Sequence, residues 1–147
     1  MSEHIPLELY KQIHASLPIP CVDAVILNTN KEVLLCHRLN KPAHGTWWFP
    51  GGRVLKGETM EDAILRKVKQ ETNLDVDIVK QLGTDQTMFP DGPFDGETHT
   101  INTVFLVTPK KGGDLAVDNQ SDELQWFNKI PKNSAAYIKK YIKLALI

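Results

Sequence analysis

The clearest candidate for chemistry is a glycine-rich loop that runs directly into a helix carrying an acid on its inner side. Gly51 and Gly52 allow the loop backbone to approach a phosphate or to offer a carbonyl to a metal ion. The helix is predicted over Thr59 to Thr72, and Glu71 lies where its apolar stripe turns polar. An inward carboxylate is costly unless a cation meets it. Loop and acid together predict a magnesium diphosphate site, with a plain Lys67–Glu71 ion pair as the alternative.

Local signals define both ends of this helix. Thr59, followed three residues later by Asp62, fits a capping box that satisfies backbone N–H groups of the first turn. Asn73 suits the left-handed position that closes a helix. The apolar stripe begins with three residues: Met60, Ala63 and Ile64.

Two arginines are placed to hold a diphosphate. Alternation along the predicted strand from Glu32 to Arg38 puts Arg38 at the end of an otherwise apolar row, and Arg53 follows the glycine pair. A guanidinium group is planar, always charged and able to bond two oxygens at once. Capping of the sheet edge is the alternative role for Arg38.

The loop and helix resemble the Nudix box, G-x5-E-x7-R-E-U-x-E-E-x-G-U, where U is bulky and apolar. The residues that match include Gly52, Glu58, Arg66 and Glu71. Nudix enzymes use the glutamates of the box to hold several metal ions for attack on phosphorus. Two further glutamates and a glycine of the box are replaced here, by Lys67, Gln70 and Asn73.

GDP-mannose mannosyl hydrolases depart from the box at the same places, and the chain resembles them well beyond the helix. With the helix, the matching blocks span roughly two thirds of the chain in the family's order: VDAVILN at 22–28, LLCHRLNKPAHGTWWFPGGRV at 34–54 and DNQSDELQWF at 118–127. The resemblance implies an α/β Nudix fold, which is an α/β/α sandwich with a mixed β-sheet. It also implies a homodimer and Mg²⁺ as the cofactor, with Mn²⁺ as a substitute.

By this resemblance, three groups bind the metal: the Gly51 carbonyl, the Glu71 carboxylate and the Gln120 side-chain carbonyl. Diphosphate oxygens and water would fill the remaining positions of the octahedron. Arg38 and Arg53 would hold the developing negative charge. Water would then attack the anomeric carbon and release nucleoside diphosphate and free sugar with inversion.

Three more residues complete the expected catalytic set. Asp23 interrupts the apolar strand Cys21 to Leu27, where the family has an acid near the sugar or base, and a strand-end acid facing water is the alternative. Arg66 is expected to orient Glu58 or to contact a phosphate. A structural Arg66–Glu58 ion pair is the alternative.

The general base is open. The family has a histidine directly after the metal-binding glutamine, and this chain has Ser121, whose hydroxyl is a poor base near pH 7. The family's loop tyrosine and histidine are also absent, with Ile101 and Thr87 near their places. Four groups remain as candidate bases: Glu97, His99, Asp122 and Glu123.

Helices and strands surround this centre on both sides. Periodicity predicts a helix over Leu7 to Ser16 with Leu9 and Ile13 inward. It also predicts a final helix over Asn133 to Leu146, whose inward residues are Ile138, Tyr141, Ile142 and Ala145. Strands are predicted at 21–27, 32–38, 76–82, 99–108 and 124–127. Such an alternation is typical of an α/β sandwich.

The segment from Asp85 to Glu97 is rich in proline, glycine and acids, and it is predicted to be a long loop. Loops of this length are often functional covers, although a plain hairpin tip is the alternative. Its position suggests a cover over the sugar. Phe89 and Phe94 are the candidate substrate contacts.

Composition limits the function classes. The chain has 147 residues, a net charge of −1 and 41% hydrophobic residues, which suits a single domain over 1–147. Near-neutral charge argues against a nucleic-acid binder. No apolar run approaches the roughly 20 residues of a membrane span, so no membrane partner is expected and the cytoplasm is the expected location. Cys21 and Cys36 form no C-x-x-C pair.

Three hypotheses therefore stand. The first is a Mg²⁺-dependent hydrolase of a nucleoside diphosphate sugar of the GDP-mannose type, cleaving at the anomeric carbon. The second is a Nudix pyrophosphohydrolase that attacks phosphorus, with Glu58 and Glu71 on the metal. The third is a catalytically weak nucleotide-binding module, favoured by Lys67, Gln70 and Ser121.

Overall fold

The computed structural model describes residues 4–38, 45–94, 96–110 and 123–147. The elements follow in chain order: α1 (Leu7–Ser16), β1 (Ile19–Leu27), β2 (Val33–His37), β3 (Trp47–Trp48), β4 (Gly51–Arg53), α2 (Met60–Thr72), β5 (Val76–Phe89), β6 (Thr98–Pro109), β7 (Leu124–Phe127) and α3 (Ala136–Ala145).

The strands form one sheet in the order β3-β2-β1-β6-β5, with β4 added to β1 and β7 added to β2. β1 and β6 run parallel, and the other pairings among the described strands are antiparallel. The predicted mixed sheet is therefore confirmed.

Helices cover both faces of the sheet, because alternate residues of β1 enter two different cores. Val22, Ala24 and Ile26 pack with residues of α2, such as Ile64 and Val68. On the opposite face, the β1 residues Val25 and Leu27 pack with three residues of α3: Ile138, Tyr141 and Ile142. The predicted α/β/α sandwich is confirmed.

The chain from Trp47 to Arg53 changes its partner within the sheet. β3 pairs with β2 through Cys36 and Trp48, and β4 then pairs with β1 through Asp23 and Gly51. β1 and β2 pair directly only at the far end, where Ile26 faces Leu34. The two strands therefore separate, and β4 occupies the space between them.

The cap residues of α2 are the predicted Thr59 and Asn73, and the structure shows the Thr59 half of the predicted capping box. The Thr59 hydroxyl accepts a hydrogen bond from the Asp62 backbone N–H at 3.1 Å. Asn73 has φ 61°, the left-handed conformation predicted for it. Ala63, Ile64 and Val68 are fully buried, whereas Met60 is 38% exposed and does not extend the buried stripe.

Three predictions about the other elements are wrong. β5 continues through Phe89, so the first part of the predicted loop at 85–97 is strand paired with β6. Leu9 is 49% exposed and does not face inward, and none of the residues of α1 is buried. The last helix begins at Ala136, after Asn133 takes a positive φ of 62°.

None of the helices in the described part of the chain combines the length and the apolar character needed to span a membrane.

Candidate functional site

Glu71 reaches from α2 to the backbone of β4. Its Oε2 accepts a hydrogen bond of 2.8 Å from the Gly51 N–H, and its Oε1 lies 4.0 Å from the Lys67 ammonium. Partial desolvation raises the pKa of Glu71, and the charge of Lys67, the Gly51 N–H and the charge of Arg38 oppose that rise. The predicted alternative, an ion pair with Lys67, is thus present but long. The same carboxylate also contacts the loop.

The Gly51 carbonyl lies on the edge of β4 that Glu71 approaches. Residues on either side of Gly51 form hydrogen bonds to β1. The Pro50 carbonyl accepts from the Ala24 N–H at 2.9 Å, and the Val54 N–H donates to the Pro20 carbonyl at 3.0 Å. Ladder bonds alternate along an antiparallel strand, so Gly51 turns both its N–H and its C=O away from β1. Two of the three predicted ligand groups therefore share one edge of the loop.

These oxygen donors fit a hard divalent cation such as Mg²⁺, which proteins commonly hold with one or two carboxylates while substrate phosphates and water complete the shell. The third predicted ligand, Gln120, and the neighbouring Ser121 and Asp122 lie outside the described residues. In the described ranges, no cluster of three or more His, Cys, Asp or Glu side chains could hold a metal.

We expect Gly51→Ala to destabilise the protein by about 2 kcal/mol or more, as overpacking of a tight site does. A Cβ at Gly51 would fall 2.1 Å from Asp23 Oδ1 and 2.2 Å from the Val22 carbonyl oxygen. Gly52→Ala is the matched control, because its Cβ would meet only the flexible Lys67 side chain, at 2.5 Å. Urea unfolding of both variants checks this, and equal losses of stability would contradict it.

A cleft of about 250 Å³ opens beside Gly51, on the face of the sheet that carries α3. It gathers four of the predicted substrate and catalytic residues, and its lining includes Asp23, Arg38, Arg53 and Phe89. Arg53 also lies over the Tyr10 ring, with 5.3 Å between the guanidinium carbon and the ring centroid. The cleft thus combines two guanidinium groups, one carboxylate and four aromatic side chains: Tyr10, Trp48, Phe49 and Phe89.

Asp23 is buried at the floor of this cleft, with 4% of its surface exposed. Its Oδ2 accepts hydrogen bonds from Tyr137 Oη at 2.5 Å and from Asn102 Nδ2 at 2.9 Å. It therefore does not face water at a strand end, which was the alternative from sequence. Asn102 and Tyr137 are thus part of the candidate site, and the sequence did not indicate either of them.

Burial raises the pKa of Asp23 to about 6, while the hydrogen bonds from Tyr137 and Asn102 oppose the rise. A carboxyl group whose pKa is higher in the folded protein lowers stability once it ionises. This cost is absent below the ordinary pKa of 3.8, grows between 3.8 and about 6, and is complete above that value.

We therefore expect Asp23→Asn to stabilise the metal-free protein at pH 8 by up to about 3 kcal/mol, from about 1.4 kcal/mol per pKa unit. The amide keeps an oxygen for both donors and carries no charge. The advantage should shrink as the pH falls towards 4. Thermal unfolding of both proteins from pH 4 to pH 8 tests this, and a difference that does not vary with pH would contradict it.

Glu58 and Arg66 form an ion pair that ties the loop after β4 to α2. Arg66 donates to both carboxylate oxygens, from Nε at 2.7 Å and from Nη2 at 2.9 Å. Nη2 also donates to the Arg53 carbonyl at 3.0 Å, and Glu58 Oε1 accepts from the Leu55 N–H at 3.1 Å. The geometry agrees with the prediction that Arg66 orients Glu58 and equally with the alternative, a structural ion pair. It supports the loop that presents Gly51.

Among the candidate bases that the structure describes, none lines the cleft that contains Asp23. Glu97 and His99 line a second cavity of about 420 Å³, between α1 and the segment before β6. His99 Nε2 lies 3.0 Å from Gln86 Oε1. Glu123 precedes β7, and its carbonyl accepts from the His37 N–H at 2.8 Å. Phe94 packs edge-on against Tyr10 and His14.

Comparisons with known proteins agree with this fold. Over 140 residues the chain is 34% identical to the low-salt glycan biosynthesis protein Agl8 of Haloferax volcanii, covering 94% of this chain and 88% of that protein. It is 35% identical over 131 residues to an ADP-ribose pyrophosphatase of Methanocaldococcus jannaschii, covering 86% and 74%.

Among solved structures, a MutT NUDIX hydrolase from Burkholderia pseudomallei has the same fold, with a TM-score of 0.67 and 21% identity over 88% of this chain and 98% of that one. The family model described as the NUDIX domain matches residues 17–131. That match covers well over half of the chain and includes the loop, α2 and the floor of the cleft. The chain therefore belongs to the Nudix family.

Proposed function

We propose that this protein is a Mg²⁺-dependent hydrolase of a nucleoside diphosphate sugar, of the GDP-mannose type, and that it cleaves at the anomeric carbon. The products are nucleoside diphosphate and free sugar. One observation carries the proposal: a single carboxylate, Glu71, is bonded to the Gly51 backbone at 2.8 Å, beside a cleft that contains two arginines.

The number of available carboxylates supports a site with one metal ion. Nudix chemistry at phosphorus, as the sequence resemblance implies it, needs a cluster of glutamates. Here Glu58 has only 2% of its side chain exposed and is held by the Arg66 fork. Of the two glutamates that match the Nudix box, Glu71 is therefore the one available to bind a metal ion beside Gly51. A single Mg²⁺ held mainly by backbone, amide and one acid suits the activation of a leaving group.

Each residue of the site then has a definite task. Gly51 offers its carbonyl and Glu71 its carboxylate to the divalent ion, and Gln120 is proposed as the third ligand. The ion, when bound, neutralises the diphosphate and makes it a better leaving group. Arg38 and Arg53 hold the diphosphate oxygens through charge-assisted hydrogen bonds.

Asp23 and Phe89 line the part of the cleft that we assign to the sugar. Arg66 and Glu58 act as positioning residues, because they hold the loop that carries Gly51. The general base that removes a proton from water stays open among the groups identified from the sequence.

The names of the relatives support two readings of the bond that breaks. A relative concerned with glycan biosynthesis agrees with a sugar-linked substrate. A relative that is an ADP-ribose pyrophosphatase favours the second candidate, which is cleavage of a nucleoside diphosphate derivative at phosphorus. Hydrolysis of a nucleoside diphosphate compound is common to both readings.

Hydrolysis in ¹⁸O-labelled water decides between them. We would incubate the protein with Mg²⁺ and a panel of nucleoside diphosphate hexoses, and analyse the products by mass spectrometry. Label in the free sugar supports attack at carbon. Label in a phosphate product overturns that proposal and supports the second candidate. Tight binding of the panel without any product would indicate the third hypothesis, a binding module.

Several broader expectations belong to the same proposal. They are a single domain over 1–147, a homodimer, a cytoplasmic location, and the absence of nucleic-acid and membrane partners. Light scattering at several concentrations tests the dimer, and a constant monomer mass would contradict it.

A further inference from the structure

A row of polar side chains crosses the floor of the cleft from β5 to β1. Thr87 on β5 faces Thr100 on β6 in the ladder, and Asn102 lies two residues further along β6. All three line the cleft with Asp23, although strands in a core are usually apolar on such a face. This row is not required by the metal and diphosphate chemistry described above.

Each group of the row donates a hydrogen bond to the next one, from Thr87 on β5 to Asp23 on β1. An ionised carboxylate can only accept, so Asn102 must turn its amide nitrogen to Asp23 and its oxygen to Thr100. Thr100 donates to that oxygen at 2.6 Å and therefore accepts from Thr87, whose Oγ1 lies 2.5 Å away. Tyr137 donates to Asp23 from the other side. The orientation of every group in the row is thus determined by its neighbour.

A row with fixed orientations still has hydrogen-bonding capacity left for a ligand. A hydroxyl oxygen has two lone pairs and an amide nitrogen has two hydrogens, and the internal bonds use only part of these. Ligand hydroxyls, which both donate and accept, match such a surface. Phosphates match it poorly, because Asp23 is negative and the two arginines lie on the β2 and β4 side of the cleft.

We infer that Thr87, Thr100 and Asn102 recognise the hydroxyl groups of the sugar and determine which sugar is accepted, an inference that rests on the proposed function. The diphosphate lies towards Arg38 and Arg53. The hexose lies over β6 and β5. Phe89, half-buried next to Trp48 with 5.4 Å between ring centroids, borders the same end of the cleft.

Thr100→Val tests this inference because it removes the central hydroxyl and keeps a side-chain shape that suits a strand. Thr100→Ser, which restores a hydroxyl, is the rescue variant. Thr84→Val is the matched control. Thr84 forms the same kind of cross-strand threonine pair, with Thr103 at 3.1 Å, but on the opposite face of the sheet.

The measurement is the affinity gained from the sugar. Tryptophan fluorescence titration gives the Kd of nucleoside diphosphate hexoses and of the matching nucleoside diphosphates, without metal so that turnover cannot interfere. For the wild-type protein, we expect the hexose to improve affinity over that for the nucleoside diphosphate alone. Thr100→Val should reduce that gain about 3- to 10-fold, as the loss of one or two hydrogen bonds would. The affinity for nucleoside diphosphate alone, and both affinities of Thr84→Val, should not change.

The outcomes separate this inference from the proposed function. Wild-type protein that gains no affinity from any hexose, or a Thr100→Val protein that keeps the whole gain, overturns the inference even if turnover is observed. Equal loss for nucleoside diphosphate and its hexose also overturns it. Conversely, a selective loss in a protein that hydrolyses none of the panel supports the inference and contradicts the proposed function.

Discussion

Glu71→Gln is expected to lower the hydrolysis rate about 10²- to 10³-fold, which corresponds to the several kcal/mol that a metal ion supplies in such sites. The amide keeps the shape of the side chain and can still accept a hydrogen bond from the Gly51 N–H. It loses the negative charge that attracts a divalent cation. The Mg²⁺ concentration needed for half-maximal rate should therefore rise together with the loss of rate.

Glu61→Gln is the control for this experiment. Glu61 lies on the same helix, in its first turn, and is exposed. Its replacement removes one charge from α2 and should leave both the rate and the Mg²⁺ dependence nearly unchanged. A Glu71→Gln protein with wild-type Mg²⁺ dependence would contradict the assignment of Glu71 as a metal ligand, whatever its rate.

Arg66→Ala is expected to reduce the free energy of unfolding by about 2 to 3 kcal/mol, because it leaves a part-buried carboxylate without its charged hydrogen-bond donor. Glu58 has 2% of its side chain exposed and would lose both hydrogen bonds from Arg66. The Arg53 carbonyl would lose the hydrogen bond that it accepts from Arg66 Nη2. Chemical denaturation measures the loss. Combining Arg66→Ala with Glu58→Gln should recover part of it, because the buried charge is then absent.

The exposed pair Lys110–Asp77 is the matched control. Its atoms lie 3.5 Å apart, with both side chains at least 60% exposed. Lys110→Ala should change stability by no more than about 1 kcal/mol. If Arg66→Ala cost no more than that, the Glu58–Arg66 pair could not be the support of the loop described above.

The same pair gives the protein sensitivity to acid. Hydrogen bonds from Arg66 lower the pKa of Glu58 below its ordinary 4.5. A carboxyl group with a lowered pKa contributes its full stability above its ordinary value and loses it as the pH falls through the folded value. The contribution of Glu58 is therefore complete at neutral pH and disappears only below about 4.5.

Much of the fold could be predicted because its signals are local. The ends of α2 follow from Thr59 and Asn73, whose effects act within one turn of helix. The inward face of α3 follows from periodicity, and Ile138, Tyr141 and Ile142 are buried as predicted. Such features depend on neighbours three or four residues away, which the sequence displays directly.

The extent of β5 could not be predicted in the same way. Asp85 and Thr87 look like loop residues because they are polar, yet they lie in a strand that pairs with β6. Each is satisfied by a distant residue. Asp85 accepts a hydrogen bond from Lys140 at 2.8 Å, and Thr87 bonds Thr100. Strand pairing over such separations overrides local propensity.

The candidate site divides along the same line. Gly51, Arg53 and Glu71 could be predicted as candidates because one loop and one helix carry them. The surroundings of Asp23 could not be, because its partners Asn102 and Tyr137 are 79 and 114 residues away. The sequence shows that Asn102 is a polar residue within a strand, but it does not show which residue Asn102 contacts.

The separation of β1 from β2 has a consequence for how this protein could evolve or be engineered. Where two strands part, backbone groups lose their usual ladder, and the Gly51 edge turns instead to Glu71. Closing that gap with regular pairing would make a more uniform sheet and would remove the edge at which the divalent ion is proposed to bind. If the proposed metal site is correct, selection for a more regular and more stable sheet would therefore lower activity.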